Sequence, residues 1–111
     1  MPVSAHFEED NHIVVWVFDG KWTWSDYYAI RNDVNDKIEA MDFTVDMIVD
    51  LSNGSLLPQN VLTHAGSAAR KAPQNLGMIV IVGPGAFLRT FFQFFKRTYG
   101  CLLYTSPSPR D

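Results

Sequence analysis

Two short apolar runs decide how this chain folds: Val45-Asp46-Met47-Ile48-Val49-Asp50-Leu51 and Leu76-Gly77-Met78-Ile79-Val80-Ile81-Val82. Each has the length of one strand and is rich in aliphatic residues. Each ends in turn formers, Ser52-Asn53-Gly54 and Gly83-Pro84-Gly85. A helix-compatible stretch lies between them. Two apolar strands joined by one helical crossover pair in parallel and bury both faces, which predicts an α/β domain.

Upstream, Val3–Phe7 and His12–Phe18 read as strands around the polar turn Glu8-Glu9-Asp10-Asn11, an antiparallel hairpin closed off by Asp19-Gly20. A helix is predicted from Trp24 to Ala40. Thr23 suits its N-cap, Asp26 the capping-box position, and Trp22 with Tyr27 the two staple positions. Tyr27, Ile30, Val34, Ile38 and Met41 then form an apolar stripe, while Asn32, Asp33, Asp36 and Lys37 face water, with Asp33 and Lys37 spaced for an ion pair.

Pro58 suits the first position of a second helix, whose narrow face of Val61, Leu62, Ala65, Ala68 and Ala69 fits close packing on a sheet. Ala72-Pro73 stops it. A third helix is predicted from Ala86 to Tyr99. Five of the eight phenylalanines fall within residues 87–95, on more than one face of that helix. The lead they offer is an apolar surface presented to something, or one covered on several sides.

The chain has 111 residues, 47% of them hydrophobic and 19% charged, the balance of one globular domain. Its last eleven residues, CLLYTSPSPRD, match one reading frame through the end of a transposase-type sequencing adapter. They are read as an artefact tail to be kept out of the fold. On that reading residues 1–100 are a C-terminally truncated domain, and Cys101, the one cysteine, plays no part. Neither a disulfide framework nor a thiolate metal site then remains. The N-terminus has no signal-peptide pattern and no apolar run is long enough to span a bilayer, so a cytoplasmic location without stable membrane insertion is expected.

Net charge is −3, unevenly spread. Residues 1–50 hold eleven acids and three bases, whereas residues 51–100 hold Arg70, Lys71, Arg89, Lys96, Arg97 and no acid. These bases close predicted helices, where cations complement the helix dipole. The clusters are too small to predict nucleic-acid binding.

The order hairpin, helix, strand, helix, strand, helix resembles the STAS superfamily, the fold of anti-sigma-factor antagonists and of the cytoplasmic domains of sulfate transporters. Phe18-Asp19-Gly20, Val49-Asp50-Leu51-Ser52 and Ile81-Val82-Gly83 carry the likeness, which is nearest to bacterial STAS-like domains sharing their architecture with CRAL-TRIO lipid-transfer domains. It implies an open mixed sheet of about four strands with three helices, and a further strand and helix lost with the natural C-terminus. It also implies regulation through protein–protein contact. STAS switch proteins carry a phosphorylatable serine at the helix start, where this chain has Pro58-Gln59-Asn60-Val61. Gln59 cannot take a phosphate, and Ser55 lies in the loop before it.

No reaction can be read from the remaining residues. His64 follows Asp50 along the chain, but general acid–base work needs a partner set that the sequence does not supply, and a histidine on a polar helix face is expected. His6 and His12 lack a third zinc ligand. Asp50, at a strand's C-terminal end, stands where open α/β sheets bind ligands; its plainer role is to accept hydrogen bonds from the next turn. Gly83 and Gly85 lack the Lys-Ser/Thr of a P-loop and the third glycine of a dinucleotide fingerprint.

The reading is therefore a non-enzymatic regulatory module with no cofactor and no metal. It engages a protein partner, with a homodimer among the assemblies allowed, through Asn53–Asn60 (including Ser55 and Gln59), Asp50, His64 and the turn at Gly83, Gly85 and Phe87. The alternative is a carrier or sensor of a small apolar or lipid-like ligand held against the Phe-rich helix. Trp22, Trp24 and Tyr28 form a second aromatic group that helix capping explains only in part.

Overall fold

In the computed structural model the described residues are 2–54, 60–83 and 103–107. Strands β1 (Val3–Glu8) and β2 (Ile13–Phe18) form the predicted antiparallel hairpin, with Val3 opposite Phe18 and Glu8 opposite Ile13. The turn between them is strained. Glu9, Asp10 and Asn11 all hold positive φ, near 53°, 54° and 69°. Asn and Asp tolerate that region and Glu does not. His12 steadies the turn, its backbone N–H and its Nδ1 each meeting the Glu9 carbonyl at 3.0 Å while its ring stacks on Phe43.

Helix α1 (Trp24–Glu39) follows β2 and begins as predicted. Thr23 Oγ1 accepts from the Asp26 N–H at 3.2 Å, and the Asp26 carboxylate accepts from the Thr23 N–H at 2.8 Å, completing a capping box. Its stripe of Tyr27, Ile30, Val34 and Ile38 packs on the core, and Ile38 is fully buried. The anticipated Asp33–Lys37 pair does not form. Lys37 instead places its ammonium 4.3 Å from the Phe7 ring centroid, a cation–π contact reaching back to β1.

Strand β3 (Val45–Asp50) pairs in parallel with β2 on one side and with β4 (Leu76–Gly83) on the other, the latter reached through helix α2 (Val61–Arg70). The four predicted strands are thus present, hairpin first and parallel strands after. A fifth, β5 (Leu103–Pro107), adds in parallel to β4, with Ile79 beside Leu103 and Gly83 beside Pro107. It lies within the segment that the sequence reading sets apart as an artefact tail, and it takes the edge next to β4. The sheet order is β1-β2-β3-β4-β5. Two helices are described; the predicted third, at 86–99, lies outside the described residues. Among the described residues no helix is long and apolar enough to cross a membrane.

Because β2, β3 and β4 advance in one direction, right-handed crossovers put α1 and α2 on the same face of the sheet. The core agrees: Val3, Val14, Trp16, Phe18, Val45 and Ile81 from the strands, with Leu51 just past β3, pack with Ile38 of α1 and Ala69 of α2. The alternate residues Ile13, Val15, Val17, Ile48, Val80 and Val82 point the other way, stand outside that core and are only half-buried. Burial of both sheet faces, expected from the apolar runs, is thus unequal in the described residues. Apolar content alone does not say which side of a strand the helices will take.

Two side chains lock the α/β connections. Asn75 Nδ2 donates to the Ile38 and Phe43 carbonyls at 2.8 and 3.0 Å, tying the exit of α1 to the entry of β4. Where the β3–β4 register slips between Val45 and Met47, the Met78 N–H is taken by Asp46 Oδ1 at 2.9 Å. Gly77 makes that approach feasible, since a Cβ there would stand 2.6 Å from both Asp46 Oδ1 and Thr44 Cγ2. Gly77→Ala is expected to cost about 1–3 kcal/mol in urea unfolding, whereas an unchanged midpoint would mean the bulge is not built as described.

Candidate functional site

The C-terminal ends of the parallel strands gather several of the residues singled out from the sequence. Asp50 Oδ1 accepts from the Ser52 N–H at 2.9 Å and from the Ser52 hydroxyl, the turn-closing role expected of it. The Asn53 carbonyl accepts from the Gly20 N–H at 3.0 Å, and Gly20 and Gly54 form a parallel bridge that sews the β2–α1 loop to the β3–α2 loop. Gly83 is buried at the end of β4. Asn60 holds a left-handed conformation, φ 63°, and its carbonyl accepts from the His64 N–H. Ser55, Gln59, Gly85 and Phe87 lie outside the described residues.

The second helix starts later than its sequence indicates. With Val61 as its first residue and Asn60 as its N-cap, Pro58 is not the helical N1 residue. The left-handed Asn60 accounts for this, because a residue at positive φ cannot continue a right-handed helix backwards. The Asn60 side chain makes no capping bond.

His64 is the main correction. It is not a solvated helix-face histidine: it is half-buried against the aromatic group at the start of α1. The Tyr28 hydroxyl lies 2.7 Å from His64 Nδ1, and with the phenol as donor the imidazole carries its proton on Nε2. The indole of Trp24 stacks on the His64 ring, with centroids 4.5 Å apart and planes 20° from parallel. Trp24 and Tyr28 are one turn apart on α1, and His64 is in the first turn of α2. The two helices therefore meet through these three rings.

The cluster extends inward. Trp22 packs at 4.6 Å on Phe18 and 4.7 Å on Trp24, and Tyr27 lies 5.1 Å from Trp16 and 6.2 Å from Phe18. The staple residues Trp22 and Tyr27 thus meet on shared neighbours, Phe18 and Trp24. Burial pushes the Tyr27 phenol up to about 12, an effect partly opposed by the nearby Arg31 charge. Arg31 itself lies over the Tyr28 ring, 4.8 Å from its centroid. One signal in the sequence pointed here: Trp24, Tyr28 and Arg31 at i, i+4 and i+7 share one helix face, more polar-aromatic than capping requires.

Elsewhere, His6 Nε2 bonds Glu8 at 3.1 Å and His12 serves its turn, so the two histidines do not converge. Among the described residues no three His, Cys, Asp or Glu side chains are grouped to hold a metal. Comparison with family models, curated proteins and solved structures returns no match.

The Tyr27 environment has a measurable consequence. Its folded value lies above the ordinary 10, so the unfolded chain loses this proton first and stability falls as pH rises from about 10 towards 12. Tyrosinate absorbance should show one phenol titrating near 12, absent in Tyr27→Phe; titration of every tyrosine near 10 would contradict the packing. Tyr28→Phe should lower stability by about 0.5–1.5 kcal/mol through the lost His64 bond, and by nothing further in a His64→Ala background, as read from a double-mutant cycle.

Proposed function

We propose that this protein is a non-enzymatic regulatory interaction module of the STAS type, cytoplasmic, which engages a protein partner through the surface where α1 and α2 begin. The observation that carries the reading is the set Trp24, Tyr28 and His64. These half-buried rings are held in fixed mutual geometry where α1 meets the first turn of α2. Rigid Trp and Tyr side chains bring contact area at small entropic cost, and such residues dominate binding energy in protein interfaces. The hairpin-then-parallel order of the sheet supports the STAS likeness. Gln59, in place of the switch serine, means that binding here is governed without phosphorylation at that position.

The non-enzymatic reading is supported by the engagement of His64, whose Nδ1 is taken up by the Tyr28 hydroxyl at 2.7 Å and whose ring is stacked on Trp24.

The test uses Thr63, an exposed residue in the same turn as His64. Thr63→Glu and His64→Ala should each retain the wild-type circular dichroism yet weaken capture of a stoichiometric protein partner by about 30-fold, the size of an interface hot spot. A partner held equally well by both variants would remove this surface from the account. Native mass spectrometry distinguishes the alternative, since a co-purifying lipid-sized mass would make the protein a carrier of an apolar ligand.

A further inference from the structure

The sheet face turned away from α1 and α2 is apolar at its centre. Val15, Ile48 and Val80 form one row across β2, β3 and β4, and Ile13, Val17 and Val82 stand beside it. None of these six is fully buried, whereas Val14, Trp16, Val45 and Ile81 on the opposite face are. Met78, two residues before Val80, is 41% exposed. Contiguous apolar surface left open in this way marks a place where something docks.

The fixed charges on this face have one sign. Asp46 and Asp50 alternate with Ile48 along β3, and Glu8 lies opposite Ile13 at the end of β1. Strands β1 to β4 contain no lysine and no arginine. Each aspartate accepts through Oδ1, Asp46 from the Met78 N–H and Asp50 from the Ser52 N–H, and no described residue bonds Oδ2 of either. That balance selects the occupant. A second copy laid face to face would set these carboxylates against others of like charge, and an anionic lipid surface would be repelled by them. A surface that is apolar and cationic meets both features.

We propose that this face docks a basic amphipathic helix of a partner protein, laid along β3 with its apolar side on Val15, Ile48 and Val80 and a cation near each aspartate. Asp46 and Asp50 are four residues apart on one strand, a separation of about 13 Å. Helix residues at i and i+7 or i+8 are about 10.5–12 Å apart, within reach of both carboxylates for long Lys and Arg side chains. Apolar residues at i+3 and i+4 then fall over Ile48, the spacing by which amphipathic helices seat themselves on apolar surfaces. This surface is on the other side of the sheet from α1 and α2. It therefore goes beyond the interaction reading above and does not depend on the Trp24, Tyr28 and His64 set.

The probe is a fluorescein-labelled helical peptide of leucine and lysine, with lysines at i and i+7 and leucines at i+3 and i+4, titrated with the full chain at low salt. Its counterpart carries glutamate in place of lysine. The Leu/Lys peptide should bind saturably, one per chain, and the Leu/Glu peptide about tenfold more weakly or not at all. Asp46→Asn combined with Asp50→Asn keeps both acceptor oxygens, removes both charges and should weaken binding about tenfold. Asp33→Asn combined with Asp36→Asn, on the water face of α1, should change nothing. Ile48→Gln should also weaken binding about tenfold with circular dichroism intact, and the aspartate pair carries the test should that variant unfold. Thr63→Glu should bind the peptide as wild type does. Equal losses in the two aspartate pairs would mean attraction to net charge alone, and a loss in Thr63→Glu would move the peptide to the α1–α2 surface. Either overturns the proposal, as does equal binding of both peptides or of neither. Self-association of the full chain, or its uptake by phosphatidylglycerol vesicles, that Ile48→Gln removes would give the face to a second copy or to a membrane and overturn it too.

Discussion

The two-sided parallel pairing of β3 is the constraint on which the rest of the structure depends. Ile48 lies between Val15 of β2 and Val80 of β4, and both neighbours run in the same direction as β3. Parallel neighbours cannot be joined by a tight turn, so each connection must cross over the sheet, and handedness sends both to one side. Two helices on one face then lie next to each other. That is why Tyr28 and His64, 36 residues apart in sequence, come to share a hydrogen bond.

The same arrangement sorts the polar chemistry. Where the helices meet, burial collects Trp16, Phe18, Trp22, Tyr27 and Ile38 into one core. The groups that cannot be fully buried, His64, Tyr28 and the outer edge of Trp24, are left at its margin beside the loops that follow β2 and β3. Arg31 is caught between these regimes. Its guanidinium lies over the Tyr28 ring, with Nε and Nη1 buried and unbonded. Sites where local rules are broken in this way are where function is most readily sought, since selection tolerates a cost in stability only for some return.

Much of the architecture was legible in the sequence because its signals are local. The capping box at Thr23 and Asp26, the stripe from Tyr27 to Ile38, and the aliphatic runs at 45–51 and 76–82 each depend on neighbours within a few residues. The start of α2 was misplaced because Pro58 is compatible with a helix N-terminus, while the left-handed Asn60 that delays it has no strong local signature. The setting of His64 was illegible for a different reason. Its partners sit on another helix, and only the sheet order brings them within reach. The surplus of aromatic residues at 22–28 was visible, but not what they would contact. Gly77 behaves likewise: as a glycine inside a strand it hints at a bulge, and the need for it comes from Asp46 on the adjoining strand.

The most direct test of this account is the pattern of nuclear Overhauser contacts made by Ile48 in the intact chain. Parallel pairing on both sides places its backbone beside Val15 and also beside Val80, with Hα-to-amide contacts to each strand and no close Hα–Hα pairs. Observing both sets would establish the ladder that sets α1 against α2. Contacts to one strand only, or strong Hα–Hα pairs to either, would contradict it and dissolve the Tyr28–His64 surface with it.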